Sequence, residues 1–201
     1  HRIARRQRQM CIRDSVDSAM VDGSLSLMSF FYSLKEMGHW VDKRESNLLD
    51  GFAHFYDTYE CSDNKFLAVG SIEPQFYSEL LDKLGIEEDK FKDQHNKDLW
   101  PELKNIMSSK IKSKSRSEWI EIFKDSDACV SPVLSMEEAK KHPHNIEREA
   151  FINIDGFNQP NASPRYSVTK QEIKHNAKQV GADLDDICKE FNLSIDALKK
   201  T

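Results

Sequence analysis

Leu67-Ala-Val-Gly-Ser-Ile-Glu73-Pro-Gln-Phe-Tyr77 decides the fold of this chain, because it passes from a strand pattern directly into a helix pattern. Phe66 to Ile72 is an apolar run of the length expected for a short buried strand. Pro74 can occupy the first turn of the next helix, where its missing N–H leaves nothing unsatisfied. Pro74 to Leu84 then carries Phe76, Tyr77, Leu80, Leu81 and Leu84 on one side, and Gly85 suits the position just past the helix end. Glu73 is therefore expected near a helix N-terminus, flanked by Ile72 and Phe76. Apolar neighbours would raise the pKa of a carboxylate there, and the helix dipole would lower it. On the residues alone two readings stay open: a glutamate that stabilises its helix, or an acid/base catalyst.

Working outward, Phe55 to Cys61 and Lys65 to Ser71 are strand-like runs separated by Ser62-Asp63-Asn64, which predicts an antiparallel hairpin. Upstream, Val16 to Trp40 places Val16, Met20, Val21, Leu25, Met28, Phe31, Tyr32 and Leu34 at helical spacing, which predicts a helix with a broad buried face. Gly23 is a weak point in it, since a helix-interior glycine costs about 1 kcal/mol relative to alanine. Downstream, a helix is expected over roughly Asp98 to Ile111. Ser115-x-x-Glu118 has the form of a capping box and precedes Trp119, Ile120, Ile122 and Phe123. Ala128 to Leu134 reads as a short strand whose Pro132 marks an edge or exit. A second capping box, Ser135-x-x-Glu138, opens a short helix ending before Pro143. Glu149 to Ile154 is expected extended and Gln159 to Tyr166 irregular, and Asp183–Phe191 with Ser194–Lys199 forms a terminal helical pair. Helices alternating with short strands make the fold class α+β.

The chain has 201 residues, of which 38% are hydrophobic and 31% charged, as in a globular protein with a polar surface. No apolar stretch approaches the roughly 20 residues of a membrane span. A net charge of −5 gives no reason to expect a nucleic-acid partner. Cys11, Cys61, Cys129 and Cys188 are far apart without a C-x-x-C pair, which argues against structural zinc and a disulfide framework and for a reducing compartment. Five of the nine arginines fall within the first thirteen residues, and setting aside residues 1–15 with their single aspartate leaves a net charge of −9. That segment has little serine, no clear apolar face and no initiating Met, and Arg6 to Asp14 looks like a translated sequencing adapter. Residues 1–15 are accordingly read as non-native or disordered, and the chain as a truncated reading frame.

Other candidate constellations have plainer explanations. His142-Pro-His144 offers two imidazoles, but no further Cys or carboxylate pattern completes a site and Pro143 breaks helical geometry, so no metal site is assigned. Cys129 lies in an apolar run and reads as a buried structural cysteine rather than a nucleophile. Ser24 and Ser71 lack a G-x-S-x-G elbow, and no glycine-rich phosphate loop is present. The lysines of 110–114 read as a solvated helix end. Met20, Met28, Phe30, Phe31 and Tyr32 fit either core or the lining of a pocket for a flexible acyl chain.

After residue 15 the chain resembles the C-terminal part of the α-methylacyl-CoA racemases, within the class III CoA-transferase superfamily. The resemblance rests on Val16-Asp-Ser-Ala-Met-Val-Asp-Gly23, Asn47-Leu-Leu-Asp-Gly51, Phe55-Tyr-Asp-Thr-Tyr59, Phe66 to Tyr77, Asp127-Ala-Cys-Val-Ser-Pro-Val133, His142-Pro-His-Asn145 and Ala162-Ser-Pro-Arg165. The Ile-Glu-Pro-Gln-Phe run at 72–76 is the most specific, because transferases of the superfamily differ there. The resemblance implies epimerisation at C2 of a 2-methylacyl-CoA thioester by α-proton removal to an enolate and reprotonation on the opposite face. Glu73 matches the family glutamate that works with a histidine on one face, opposite an aspartate; the histidine and aspartate belong to an upstream segment this chain lacks. Met20, Leu49, Tyr56 and Ile72 match positions around the acyl or thioester part. No cofactor is implied beyond the coenzyme A of the substrate. The partners implied are that acyl-CoA and, in a full-length parent, a second copy in an interlocked homodimer, with neither nucleic acid nor membrane. On this reading residues 16–155 form the small α+β domain with its preceding helix, and 156–201 return to pack on the missing large domain. Loss of two catalytic groups, and of oxyanion donors worth about 2.7–4 kcal/mol each, predicts an inactive fragment. The alternative is a class III CoA-transferase moving CoA between carboxylic acids. The compartment expected is the cytoplasm for a bacterial source, and the peroxisome or mitochondrion for a eukaryotic one, although Leu-Lys-Lys-Thr at the end is not an S-K-L signal.

Overall fold

A three-stranded antiparallel sheet in the order β1-β2-β3 carries the Glu73 stretch at the end of its central strand. The computed structural model describes residues 17–169 and 171–194. Residues 1–15, and the second helix of the expected terminal pair beyond Ser194, lie outside them. β1 (Tyr56–Glu60) and β2 (Phe66–Gly70) form the expected hairpin, with Tyr59 opposite Leu67 and Asp57 opposite Val69. Its turn places Asn64 at a left-handed φ of 57°, which Asn tolerates better than most residues. β3 (Val130–Pro132) pairs with the other side of β2 and puts Pro132 on an edge strand, as its missing donor requires. The central strand is not buried on both faces. Leu67 and Val69 point into the core, while Phe66, Ala68 and Gly70 lie on the opposite, more open face. A sheet covered on one side only is the reason.

The chain divides into two compact units, His1–Val133 and Leu134–Thr201. In the first, helices supply the cover for the sheet: α3 (Pro74–Leu84), α4 (Trp100–Ile111) and α5 (Arg116–Ile122). Tyr77, Leu80 and Leu84 from α3, and Trp100, Leu103, Met107 and Ile111 from α4, join Tyr59, Leu67, Val69 and Trp119 in one buried cluster. α3 ends as predicted. Gly85 sits at φ 64°, ψ 48°, its N–H meets the Asp82 carbonyl, and the Ile86 N–H reaches back to Leu81, which is a Schellman closure. A single 3-10 turn (Asp89–Lys92) and a loop lead into α4. Ser115 caps α5 with a complete capping box.

The segment upstream of the sheet departs from expectation. It forms two short helices, α1 (Met20–Leu27) and α2 (Ser29–Glu36), joined at Met28, and neither has a buried residue. Gly23 is not where the helix breaks. Serine hydroxyls bond back along the chain from Ser24 to Met20, Ser29 to Ser26 and Ser33 to Ser29, which bends helices locally. The apolar face exists, but nothing among the described residues covers it: Met20, Leu25, Leu27, Met28, Phe30 and Tyr32 are exposed. Phe31 packs edge-on against Trp40 and against its neighbour Phe30.

In the second unit, Ser135 caps α6 (Met136–Lys141) with the expected capping box, and α7 (Pro143–Glu147) follows at once. β4 (Phe151–Ile154) then pairs with β5 (Phe157–Pro160), so Gln159 and Pro160, the first residues of the expected irregular stretch, belong to a hairpin strand. Asp155-Gly156 is the cause, with both residues at positive φ in a two-residue loop. α8 (Leu184–Glu190) matches the first helix of the terminal pair. No helix among the described residues is long and apolar enough to cross a membrane.

Candidate functional site

Glu73 is the N-cap residue of α3, with extended backbone at φ −74° and ψ 143° and Pro74 in the first turn behind it. Its side chain makes no capping bond and is exposed. Its carbonyl accepts the Tyr77 N–H at 3.0 Å, so the backbone is tied into the helix while the carboxylate is left free. Upstream, Ser71 N–H donates to the Phe55 carbonyl and Ser71 Oγ donates to the Ala128 carbonyl at 2.5 Å. These bonds bring the end of β2 and the start of β3 together.

Cys129 is the residue thereby brought beside Glu73. Contrary to the buried cysteine expected, it is exposed and stands at φ 53°, turned out of the strand direction just before β3. Its thiol is pushed above the usual range first by partial burial and then by the negative charges of Glu73, Asp127 and Glu79. A raised thiol pKa keeps it protonated and argues against a nucleophilic role.

The open face of the sheet forms a groove of about 500 Å³ beneath this corner. Its floor is small, from Ala68, Gly70 and Ser131; Tyr56 and Cys129 stand at its sides; Asp50, Gly51 and Asp57 close one end. Gly51 holds φ 87°, a conformation that costs glycine little. Its carbonyl receives Lys104 Nζ at 2.5 Å, and the same ammonium pairs with Asp57. Burial would raise the Asp50 carboxyl, but hydrogen bonds from the Ser46 amide and from the Asn47 side chain and amide outweigh it and hold the group below the usual carboxylate range.

Of the expected substrate positions, Tyr56 lines the groove, and Tyr56 and Ile72 are half-buried against the core cluster, Ile72 directly preceding Glu73 in the chain. Leu49 is half-buried one residue before the groove residues Asp50 and Gly51. Met20 is 90% exposed on α1 and is not among the groove residues. The sequence does not single out Asp57 and Cys129 as groove residues, nor Lys104 as their neighbour bound to Gly51 and Asp57; only the run Phe55 to Tyr59 draws attention to Asp57. The lysines of 110–114 serve local structure: Lys110 reaches the Gly85 carbonyl, Lys112 pairs with Glu60 at 2.9 Å, and Lys114 lies over the Trp119 ring. His142 caps the junction of α6 and α7, His144 is exposed, and no group of three or more potential metal ligands occurs among the described residues.

Residues 6–184 match the model of the family described as CoA-transferase family III, a match that begins within the segment set aside above. The chain is 41% identical over 182 residues to the mouse protein named alpha-methylacyl-CoA racemase, covering 89% of this chain and 48% of that protein. It is 42% identical over 150 residues to the human protein of the same name, covering 75% of this chain and 38% of the human protein. The chain thus spans about half the length, or less, of these relatives. Among solved structures, a hypothetical protein of Mycobacterium tuberculosis superposes with a TM-score of 0.64 at 15% identity, over 86% of this chain and 46% of that one. That likeness is one of fold.

Proposed function

Because the chain belongs to CoA-transferase family III, we propose that it is the Glu73-bearing portion of a 2-methylacyl-CoA racemase. In this reading Glu73 takes the α-proton on one face of C2, or returns it there, while groups outside this chain serve the other face and hold the enolate oxygen. The observation that carries it is the state of Glu73: an ionisable side chain on anchored backbone, close enough to the groove residue Cys129 for its charge to act on that thiol, with its carboxylate unengaged. A general base needs that combination of fixed origin and free functional group. The 41–42% identity to proteins named racemases supports the choice over acyl-group transfer of CoA.

The substrate is then a 2-methyl-branched acyl-CoA, with the acyl chain along the small-residue floor of the groove and Tyr56 and Ile72 beside the reacting end. No cofactor is needed beyond the CoA of the substrate, and the complete protein works as a homodimer. The compartment follows the source organism: cytoplasm in a bacterium, peroxisome or mitochondrion in a eukaryote.

The test is solvent exchange of the α-hydrogen. In a full-length protein carrying this chain, Glu73→Gln keeps the shape and removes the base, and exchange should fall by about 10²–10⁴-fold. The 201-residue chain by itself should exchange none. Unchanged exchange in Glu73→Gln would restore the helix-stabilising reading, and exchange by the isolated chain would refute the need for the missing groups. A full-length protein that moved CoA between carboxylates without α-exchange would be a transferase.

A further inference from the structure

The carboxylate of Glu73 has no hydrogen bond of its own among the described residues, so its aim depends on the backbone that carries it. Two peptide units precede that backbone, and their carbonyls, Ser71 O and Ile72 O, lie beyond the last ladder pair of β2, where no neighbouring strand supplies a donor. A side chain does so instead. Gln94 is 7% exposed, and its Nε2 lies 3.0 Å from Ser71 O and 3.0 Å from Ile72 O. A carboxamide nitrogen carries two hydrogens, and both are used on successive carbonyls. Both partners are acceptors only, so the orientation of the amide is settled by chemistry.

Gln94 is itself anchored. Its carbonyl accepts the indole N–H of the buried Trp100 at 2.7 Å. Three residues earlier, in the 3-10 turn, the Phe91 carbonyl accepts Tyr77 Oη from the first turns of α3 at 3.1 Å. The 3-10 turn and the loop after it therefore grip the strand-to-helix junction from both sides of Glu73.

We infer that Gln94 is a positioning residue for Glu73, its buried carboxamide setting the direction in which the carboxylate leaves the helix N-terminus. The inference rests on the acid/base reading of Glu73. Gln94 touches no substrate; it acts through the 71–72 and 72–73 peptide planes. Small displacements at a proton-transferring group are costly, with about a hundredfold in rate for a shift of 1 Å.

The test uses a full-length protein carrying this chain and the two C2 epimers of a 2-methylacyl-CoA deuterated at C2. Gln94→Met keeps volume and removes both donors. Release of deuterium from the epimer whose label faces Glu73 should fall about ten- to a hundredfold in kcat, with KM within about twofold. Release from the opposite epimer, which a base on the other face begins, should change far less. Equal loss from both epimers, or a rise in KM alone, would overturn the inference. Gln94→Glu guards against a variant that merely misfolds. As the neutral acid it regains one donor, so its epimer bias should grow as pH rises; a bias that stays flat with pH refutes the positioning role. Glu73→Gln run alongside separates the two levels. If it leaves release unchanged, the reading of Glu73 fails; if it abolishes release from its epimer while Gln94→Met does not, the inference about Gln94 fails alone.

Discussion

Acidification should destabilise the first unit through one buried imidazole, His54. Its ring lies in the core among Phe55, Tyr77 and Phe91. Tyr77 Oη donates to the Phe91 carbonyl, so it accepts from His54 Nε2, 2.7 Å away. That assigns the proton to Nε2 and leaves Nδ1 buried without a partner. A second proton would sit on Nδ1 with nothing to receive it, and burial, followed by the charge of His95, pushes the pKa down from 6.5 to about 4. Between these values the unfolded chain binds a proton that the folded one refuses, so stability is present above pH 6.5 and is lost as pH falls toward 4. Each pH unit in this window removes about 1.4 kcal/mol, hence about 2 kcal/mol by pH 5 and about 3 kcal/mol by pH 4. Against a typical total of about 5–15 kcal/mol that is a measurable share. Urea unfolding followed by the fluorescence of Trp100 and Trp119, both buried in the same cluster, reads it. His54→Gln retains a donor toward Tyr77 and cannot titrate. Between pH 7 and pH 5 the unsubstituted chain should lose about 2 kcal/mol more than the variant. Parallel losses would refute the reasoning, because all other groups are common to both.

Two further outcomes follow from packing and capping. Leu103 is fully buried on α4 in the centre of the cluster, and Leu103→Ala should cost about 2–5 kcal/mol in urea unfolding; a loss under 1 kcal/mol would mean the cluster relaxes around the gap. Ser115→Ala removes the acceptor that holds the Glu118 N–H at 3.3 Å and should cost about 0.5–2 kcal/mol, read as a lower thermal midpoint with unchanged secondary structure.

Local signals were legible wherever the physics is local. Ser115 and Ser135 announced their capping boxes by the glutamates three residues on, and Gly85 announced the end of α3. Asp155-Gly156 was equally local, yet Pro160 and Pro164 drew attention to irregularity, although an edge strand accommodates Pro160 without loss. Cys129 was misread for a different reason. An apolar run predicts burial only if its backbone keeps alternating, and a single positive φ at Cys129 turns the side chain outward. Periodicity on α1 and α2 correctly marked which faces are apolar, but it carries no information about what covers them. Gln94 gave no sequence signal at all: a glutamine in a charged loop is ordinary, and its role arises from contacts more than twenty residues distant.

Glu73 itself could not be settled by pattern, because a glutamate before a proline suits a helix start on either reading. The other helix starts of the same chain supply the comparison. Ser115 and Ser135 have nearly the same extended backbone, and both turn their side chains back to the third N–H of their helices. Asp183, the other carboxylate at an α-helix N-cap among the described residues, pairs with Lys178 at 2.5 Å, and Glu88 at the start of the 3-10 turn lies 4.0 Å from Lys90. Glu73 does neither. Its longer side chain is poorly suited to capping, and the work of holding the junction passes to buried neighbours: Gln94 on the preceding carbonyls, Ser71 across to Ala128, and Tyr77 on the Glu73 carbonyl. A residue kept only to stabilise its helix would not need three others to fix its backbone while its carboxylate stood free. Local rules are broken in this way where a group is reserved for chemistry, so a Glu73→Asp variant, whose shorter carboxylate can cap, should gain helix stability while losing exchange.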